Sequence, residues 1–392
     1  MDKNSPYTTT EVKRRFDSLY HSDAQVYHAP GRVNLIGEHT DYNEGFVMPA
    51  AIDLYTWVAI APRPDRRLHI HSENFAESVE FDLDDPNQRA LGHWSDYVTG
   101  VALMIVRSGQ CLRGANILIR GEIPTGAGLS SSASVEVASG YAMMKNSGLS
   151  VDLFEMARLA QRAENEFVGA RCGIMDQFIV CRGEAGHALL LDCRSLDYRP
   201  VRIAEGARLV ICNTMVKHEL AHGEYNTRRA ECEAGARFLA KKIPGITALR
   251  DVTPADLNRH GGGLSEVIYK RCRHVIAENA RVTDAAAALT RGDLIEFGRL
   301  MYESHRSLRE DYEVSSPELD TMVRLAREAE GVYGARMTGG GFGGCTINFV
   351  MADKVEDFKQ RVATGYEQAT GIAPEIYASN AVGGVENADP TK

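Results

Sequence analysis

The stretch Gly126-Ala127-Gly128-Leu129-Ser130-Ser131-Ser132-Ala133-Ser134 constrains this chain more than any other. An apolar run that reads as a strand, Ala115-Asn116-Ile117-Leu118-Ile119, precedes it, and residues 135–144, which read as a buried helix, follow. A strand, a glycine-rich turn and a helix opened by hydroxyl residues make a phosphate-binding arrangement. The glycines let the backbone curve closely around an anion, the first-turn N–H groups point at it, and the helix dipole adds positive potential. The serines can cap the helix, contact phosphate oxygens or ligate Mg2+. No Gly-Lys-Ser/Thr follows the glycines, so the loop is not of the Walker type. By itself, the composition also fits a plain turn with a helix cap.

A chain of 392 residues has room for two domains with large cores. An apolar fraction of 44% and a charged fraction of 25% belong to a soluble globular protein. Lys and Arg number 44 against 53 Asp and Glu, and the net charge of −9 argues against a nucleic-acid binder, whose footprint would be basic. ATP remains a suitable ligand if local donors and Mg2+ handle its phosphates. The eight cysteines are scattered with no CxxC pair, so neither a metal cluster nor a disulfide framework is expected, and free thiols point to a reducing compartment. Met1-Asp2-Lys3-Asn4-Ser5-Pro6 lacks the apolar core of a signal peptide, and no run approaches a membrane span. The expectation is a cytoplasmic monomer without a membrane partner.

Thr8-Thr9-Thr10-Glu11 has the form of a capping box, leading into a helix with Val12, Phe16 and Leu19 on one buried face. A short strand over Gln25-Val26-Tyr27-His28 then gives way to Ala29-Pro30-Gly31-Arg32-Val33-Asn34-Leu35-Ile36-Gly37-Glu38-His39-Thr40-Asp41-Tyr42-Asn43. Arg, Glu, His and Asp are interleaved there with Val33, Leu35 and Ile36, which predicts a rigid loop offering polar side chains to a ligand. Strands are expected near 55–61, 67–71 and 78–82. A helix opens at Trp94, with Val98, Val101, Ile105 and Val106 on its apolar side. A further helix over 151–168 carries Glu164. In Gly173-Ile174-Met175-Asp176-Gln177-Phe178 the carboxylate sits in apolar company, so Asp176 is either hydrogen-bonded structure or a working group.

Short strands at 188–191 and 207–212 bracket a turn-rich stretch, Asp197-Tyr198-Arg199-Pro200 to Glu205-Gly206, that reads as a domain boundary. Four helices follow, near 223–242, 263–289, 292–310 and 316–330. The strand Ala335-Arg336-Met337-Thr338 then enters Gly339-Gly340-Gly341-Phe342-Gly343-Gly344 and the strand over 345–350. Five glycines in six residues imply tight backbone approach to something, or a flexible turn. A helix at 353–369 and a strand near 374–378 close a βαβ-like end.

Three of these stretches, in this order, resemble the GHMP small-molecule kinases: the Arg/Glu/His/Asp loop, Pro-x-x-x-Gly-Leu-Ser-Ser-Ser-Ala, and Gly-Gly-Gly-Phe-Gly-Gly. The run from Gly31 to Tyr42 is similar to the galactokinase signature, and the likeness extends through residues 173–178 and Glu224-Tyr225, nearly the whole chain. The resemblance implies an α+β GHMP kinase fold of two domains. An N-terminal one over 1–203 would be ribosomal-S5-domain-2-like and a C-terminal one over 204–392 ferredoxin-like, with ATP and sugar in the cleft between them. Whether the last strand returns to the N-terminal domain stays open. The implied reaction moves the ATP γ-phosphoryl group to the C1 hydroxyl of α-D-galactose, the entry step of galactose metabolism (the Leloir pathway).

A sugar hydroxyl is a weak nucleophile, and the transition state spreads negative charge over the phosphoryl oxygens. The chemistry therefore needs positioning, cations and a carboxylate near the attacking oxygen. Matched motif by motif, the resemblance gives Asp176 the general-base position. Arg32 would hold Asp176 ionised and stabilise charge on the phosphoryl group. Glu38, His39, Thr40, Asp41, Gly173 and Tyr225 would line the sugar site, with Glu38 and Asp41 suited to accept paired hydroxyls. Residues 126–132 would wrap the phosphates, Trp94 would stand on the adenine side, and Ser132 and Glu164 would carry Mg2+. The alternatives are the same fold acting on N-acetylgalactosamine or arabinose, and a non-catalytic galactose sensor. A pure sensor has no need of Arg32, Ser132, Glu164 and Asp176 together.

Overall fold

The computed structural model describes residues 7–85, 87–216 and 221–388, so the expectation for residues 1–6 lies outside the described residues. Thr8 caps α1 (Thr9–Tyr20) by accepting from the Glu11 N–H at 3.3 Å, and the helix buries Val12 and Phe16. Leu19, expected on the same face, is 44% exposed, because Tyr20 takes its place by packing its ring on Phe16 at 4.7 Å.

The largest departure from the sequence reading comes next. β1 (Gln25–Asn34) does not stop at His28 but carries Arg32 on a strand. Pro30 has no N–H for a ladder, and the register of β1 shifts between Pro30 and Gly31, a bulge that the alternation count does not anticipate. The rigid loop begins only at Leu35. After it come β2 (Phe46–Val47), β3 (Pro49–Pro62), β4 (Arg67–Ser72), β5 (Glu77–Asp82), α2 (Asp96–Arg107), β6 (Ala115–Gly121), α3 (Ser131–Asn146), α4 (Leu153–Arg162), α5 (Met175–Arg182), β7 (His187–Asp192) and β8 (Tyr198–Arg202). β8 occupies residues read above as a turn. It pairs with β7, and only 203–206 remain as the connection.

The remaining elements are β9 (Ala207–Asn213), α6 (Ala221–Ala240), α7 (Pro254–His260), α8 (Glu266–Thr290), α9 (Leu294–Ser307), α10 (Pro317–Glu328), β10 (Val332–Thr338), β11 (Cys345–Met351), α11 (Val355–Thr370), β12 (Glu375–Ser379) and β13 (Glu386–Asn387). The sheets run β13-β1-β3-β6-β4-β5, β10-β11-β9-β12 and β2-β7-β8. β13 pairs antiparallel with β1, so residues 386–387 return to the first sheet, whereas the strand expected near 374–378 is β12 and pairs with β9. One core lies between that sheet and α2 to α5; a second joins β1, β3, β9, β11, α8 and α9 across the molecule. Among the described residues, no helix is long and apolar enough to cross a membrane.

The glycine-rich loop after β10 packs against the glycine-rich loop before α3. A Cβ on Gly339 would stand 2.7 Å from the Gly128 carbonyl oxygen, and one on Gly344 would stand 2.8 Å from that of Ala127; both residues have positive φ. The tight approach predicted from the glycine count is to this neighbouring loop. Gly339→Ala is expected to cost about 2–4 kcal/mol, adding the strain of a left-handed residue to an overpacked contact. Urea unfolding measures it, and an unchanged midpoint would mean that the two loops separate freely.

Candidate active site

Arg32 leaves β1 where the strand touches the loop before α3, its own N–H donating to the Leu129 carbonyl at 3.1 Å. The guanidinium is buried and every edge is used. Nε and Nη2 each donate at 2.7 Å to the two oxygens of Asp176, and Nη1 donates to the Gly128 carbonyl. Burial works against the Arg32 charge, but the Asp176 carboxylate outweighs it and raises the guanidinium further. Asp176 stands in the first turn of α5, where the helix dipole favours an anion. It also accepts a hydrogen bond from Ser130 Oγ. That contact corrects the expectation for Ser130. The residue stands just before α3 at its N-cap, with φ 58° and no side-chain capping bond, and its hydroxyl is committed to Asp176.

Asp176 and Arg32 form one wall of a cavity whose other walls are Glu38, His39, Asp41, Gly173 and Tyr225, with Gly339 and Gly340 behind. At about 180 Å³ it is smaller than a drug-sized pocket and suits a monosaccharide-sized ligand. Thr40 is the exception among the residues expected to line it. Its side chain is buried and its hydroxyl donates to the Gly37 and Phe46 carbonyls, which holds the turn that presents its neighbours. Glu38 is fixed from behind by Asn34 Nδ2, Arg336 Nη1, Thr338 Oγ1 and the Gly339 N–H.

Asp41 lies against Gly173 so closely that a Cβ there would come within 2.0 Å of Asp41 Oδ2. Burial and the neighbouring Asp176 charge push the Asp41 carboxyl up to about 7. Burial holds the His39 imidazole well below its ordinary value, so the ring is neutral, with Nδ1 2.7 Å from Tyr42 Oη. The rings of Tyr225 and Tyr312 flank His39 at 5.6 and 4.6 Å. Tyr312, which the sequence reading passed over, also meets Tyr42 hydroxyl to hydroxyl at 2.8 Å.

A second cleft adjoins the first, and Glu164 lines both. Gly126, Ser131 and Ser132 form its floor, and Trp94 stands at one side, stacked on Phe75 with centroids 5.7 Å apart and planes 7° from parallel. Phe75 sits in the β4–β5 turn and had no signal in the sequence beyond being an aromatic in a polar hairpin tip. The side chains of Ala127 and Leu129 turn into the core, so only their backbone can face a ligand.

Glu164, on a π-helical turn after α4, accepts from Gln177 Nε2 at 2.6 Å and from the Ser132 hydroxyl. Burial and the Asp176 charge raise its carboxyl to about 7. The same Gln177 nitrogen reaches Glu136 at 3.2 Å, a wholly buried acid that burial and Glu164 push well above the ordinary range. The sequence reading missed both Glu136 and Gln177; a carboxylate on the buried face of an apolar helix was the available signal. Among the described residues, no group of three His, Cys, Asp or Glu can hold a metal by itself. Ser132 and Glu164 supply two oxygens to the cleft, and among the described residues no cation pairs with the Glu164 carboxylate. That set fits Mg2+, which takes few protein ligands and completes its shell with phosphate and water.

Comparisons with known proteins agree with one another. Family models match residues 14–62 as the galactokinase galactose-binding signature, 96–184 as the GHMP kinases N terminal domain and 285–368 as the GHMP kinases C terminal. A galactokinase of Chloroflexus aggregans is 49% identical over 92% of this chain and 93% of its own. One from Roseiflexus sp. is 47% identical over 97% and 99%. The solved structure of Lactococcus lactis galactokinase complexed with galactose superposes with a TM-score of 0.93 at 37% identity, covering 96% of this chain and 99% of that one. Methanococcus jannaschii mevalonate kinase, at 18% identity and a TM-score of 0.65 over 92% and 99% of the two chains, shares the fold alone.

Proposed function

Because the chain belongs to the galactokinase family of GHMP kinases, we propose that it transfers the γ-phosphoryl group of ATP to the C1 hydroxyl of α-D-galactose, giving α-D-galactose 1-phosphate and ADP. The observation that carries this reading is the Arg32–Asp176 pair in the wall of a sugar-sized cavity that opens, at Glu164, into a cleft floored by the glycine-serine loop. Asp176 accepts a hydrogen bond from the anomeric hydroxyl and receives its proton as the O1–P bond forms and the bond to the ADP oxygen breaks. Arg32 fixes both carboxylate oxygens in place and keeps positive charge beside the phosphoryl group as its negative charge develops.

Asp41 accepts paired sugar hydroxyls, Gly173 leaves it room, and Glu38, His39 and Tyr225 complete the sugar wall. The N–H groups of residues 126–132 and the hydroxyls of Ser131 and Ser132 hold the phosphates, as the helix start favours. Ser132 and Glu164 hold Mg2+, which when bound neutralises phosphate charge. The division into domains at 203/204 is supported by the short connection from the three-stranded sheet to β9. The test is ADP release with Mg·ATP against galactose, glucose, N-acetylgalactosamine and arabinose, with the product read by NMR. Galactose turnover with phosphate on C1 is expected. Preference for another sugar would replace the substrate, and galactose binding without turnover would turn the reading into a sensor.

Phe75 and Trp94 stack on the adenine side. Phe75→Ala is expected to raise the KM for ATP about 3–10-fold with kcat little changed, the worth of one aromatic contact. An unaltered KM would move the adenine elsewhere in the cleft.

A further inference from the structure

Outside the cleft just described, α9 and α10 both pack against β10 and leave between them a groove of about 570 Å³. Its walls carry Arg299, Arg306 and Arg309 from the α9 side and Arg324 and Arg327 from α10. Five arginines converge on one groove of a chain whose net charge is −9. Helical spacing explains the convergence: 299, 302, 303 and 306 share one face of α9, and 320, 323, 324 and 327 share one face of α10.

Two acids, Glu303 and Asp320, also line the groove, and they decide which cations are already neutralised. Arg299 pairs with Glu296 and Glu303, Arg309 with Glu310, and Arg324 with Glu328. Asp320 accepts from Ser315 Oγ at 2.6 Å and faces His305 Nε2 at 3.2 Å. His305 Nδ1 in turn accepts the Met337 N–H of β10. Arg306 and Arg327 are left, on opposite walls, with no carboxylate partner among the described residues. Arg327 instead lies over the Tyr302 ring, its guanidinium carbon 5.0 Å from the centroid.

Guanidinium forks match phosphate oxygens in bidentate geometry, and a free pair facing across a pocket of this size suits a small molecule. The groove is a single cleft between two helices of 14 and 12 residues, without the long basic track that a nucleic acid would need. We propose that it is a binding site for a small phosphorylated anion, clasped between Arg306 and Arg327 against the Tyr302 wall, and separate from the nucleotide cleft.

The experiment is calorimetric titration of the whole chain with inorganic pyrophosphate, with the nucleotide cleft saturated by a non-hydrolysable ATP analogue. Wild type is expected to bind one equivalent. The double variant Arg306→Gln/Arg327→Gln should bind at least 10-fold more weakly while its kcat stays at the wild-type value. Arg89→Gln/Arg113→Gln, which removes the same charge from exposed sites elsewhere, should bind like wild type. No binding by wild type, undiminished binding by the groove variant, or an equal loss in the control pair would each overturn the proposal.

Discussion

Asp176→Asn is expected to lower kcat by about 10²–10⁴-fold while galactose still binds within a few-fold of wild type, the range that removal of a general base produces. The amide is nearly the shape of the carboxylate, so the cavity wall stays in place. What disappears is a proton acceptor beside the anomeric hydroxyl and the charge that Arg32 grips with two bonds. Arg32 is only 5% exposed, and stripping a buried cation of its partner costs about 3–5 kcal/mol. A fall in Tm will therefore accompany the kinetic loss. Galactose titration separates the two effects: a variant that binds sugar and has no turnover has lost the chemistry rather than the fold. Turnover close to wild type would remove Asp176 from the role.

The parts of this site that sequence reasoning could reach are those in which backbone geometry dictates residue type. A turn that must pass close to another backbone selects glycine, and the loops at 126–128 and 339–344 are legible for that reason. Asp176 is legible because a carboxylate among Ile174, Met175 and Phe178 needs a partner, although nothing local says that the partner lies 144 residues away at Arg32. β1 was harder to see. Both of its faces are buried over most of its length, so polar-apolar alternation vanishes, and Pro30-Gly31 imitates a turn where the strand only bulges. Tyr198-Arg199-Pro200 fails for a similar reason, since an edge strand tolerates the proline that a central one would reject. Phe75 and Gln177 acquire meaning only from tertiary neighbours, Trp94 in one case and two buried carboxyls in the other.

Asp41→Asn should trade sugar affinity for stability, and the direction of each change follows from one carboxyl. Folding moves the Asp41 carboxyl from its ordinary 3.8 up to about 7, through burial first and the Asp176 charge second. A group raised in this way contributes its full stability below about pH 4 and loses it as pH climbs through 7, where the folded protein must hold a buried negative charge. Asparagine never ionises. The variant should therefore unfold at a higher Tm than wild type at pH 8, by the equivalent of about 2–4 kcal/mol, with the gap closing toward pH 5. Its Tyr42-side backbone contact needs only an acceptor, which the amide retains. The sugar site loses what stability gains: a carboxylate that accepts two hydroxyls is replaced by a group that turns a donor toward one of them. A charged hydrogen bond is worth about 1.5–3 kcal/mol, so losing one should raise the KM for galactose roughly 10–10²-fold. Wild type should show a milder form of the same loss, its galactose KM climbing as pH falls below 7, whereas the variant's KM stays flat across that range. A wild-type KM that ignores pH between 6 and 8, or a variant no more stable at pH 8, would mean that Asp41 stays ionised in the empty cavity and that its burial costs the fold little.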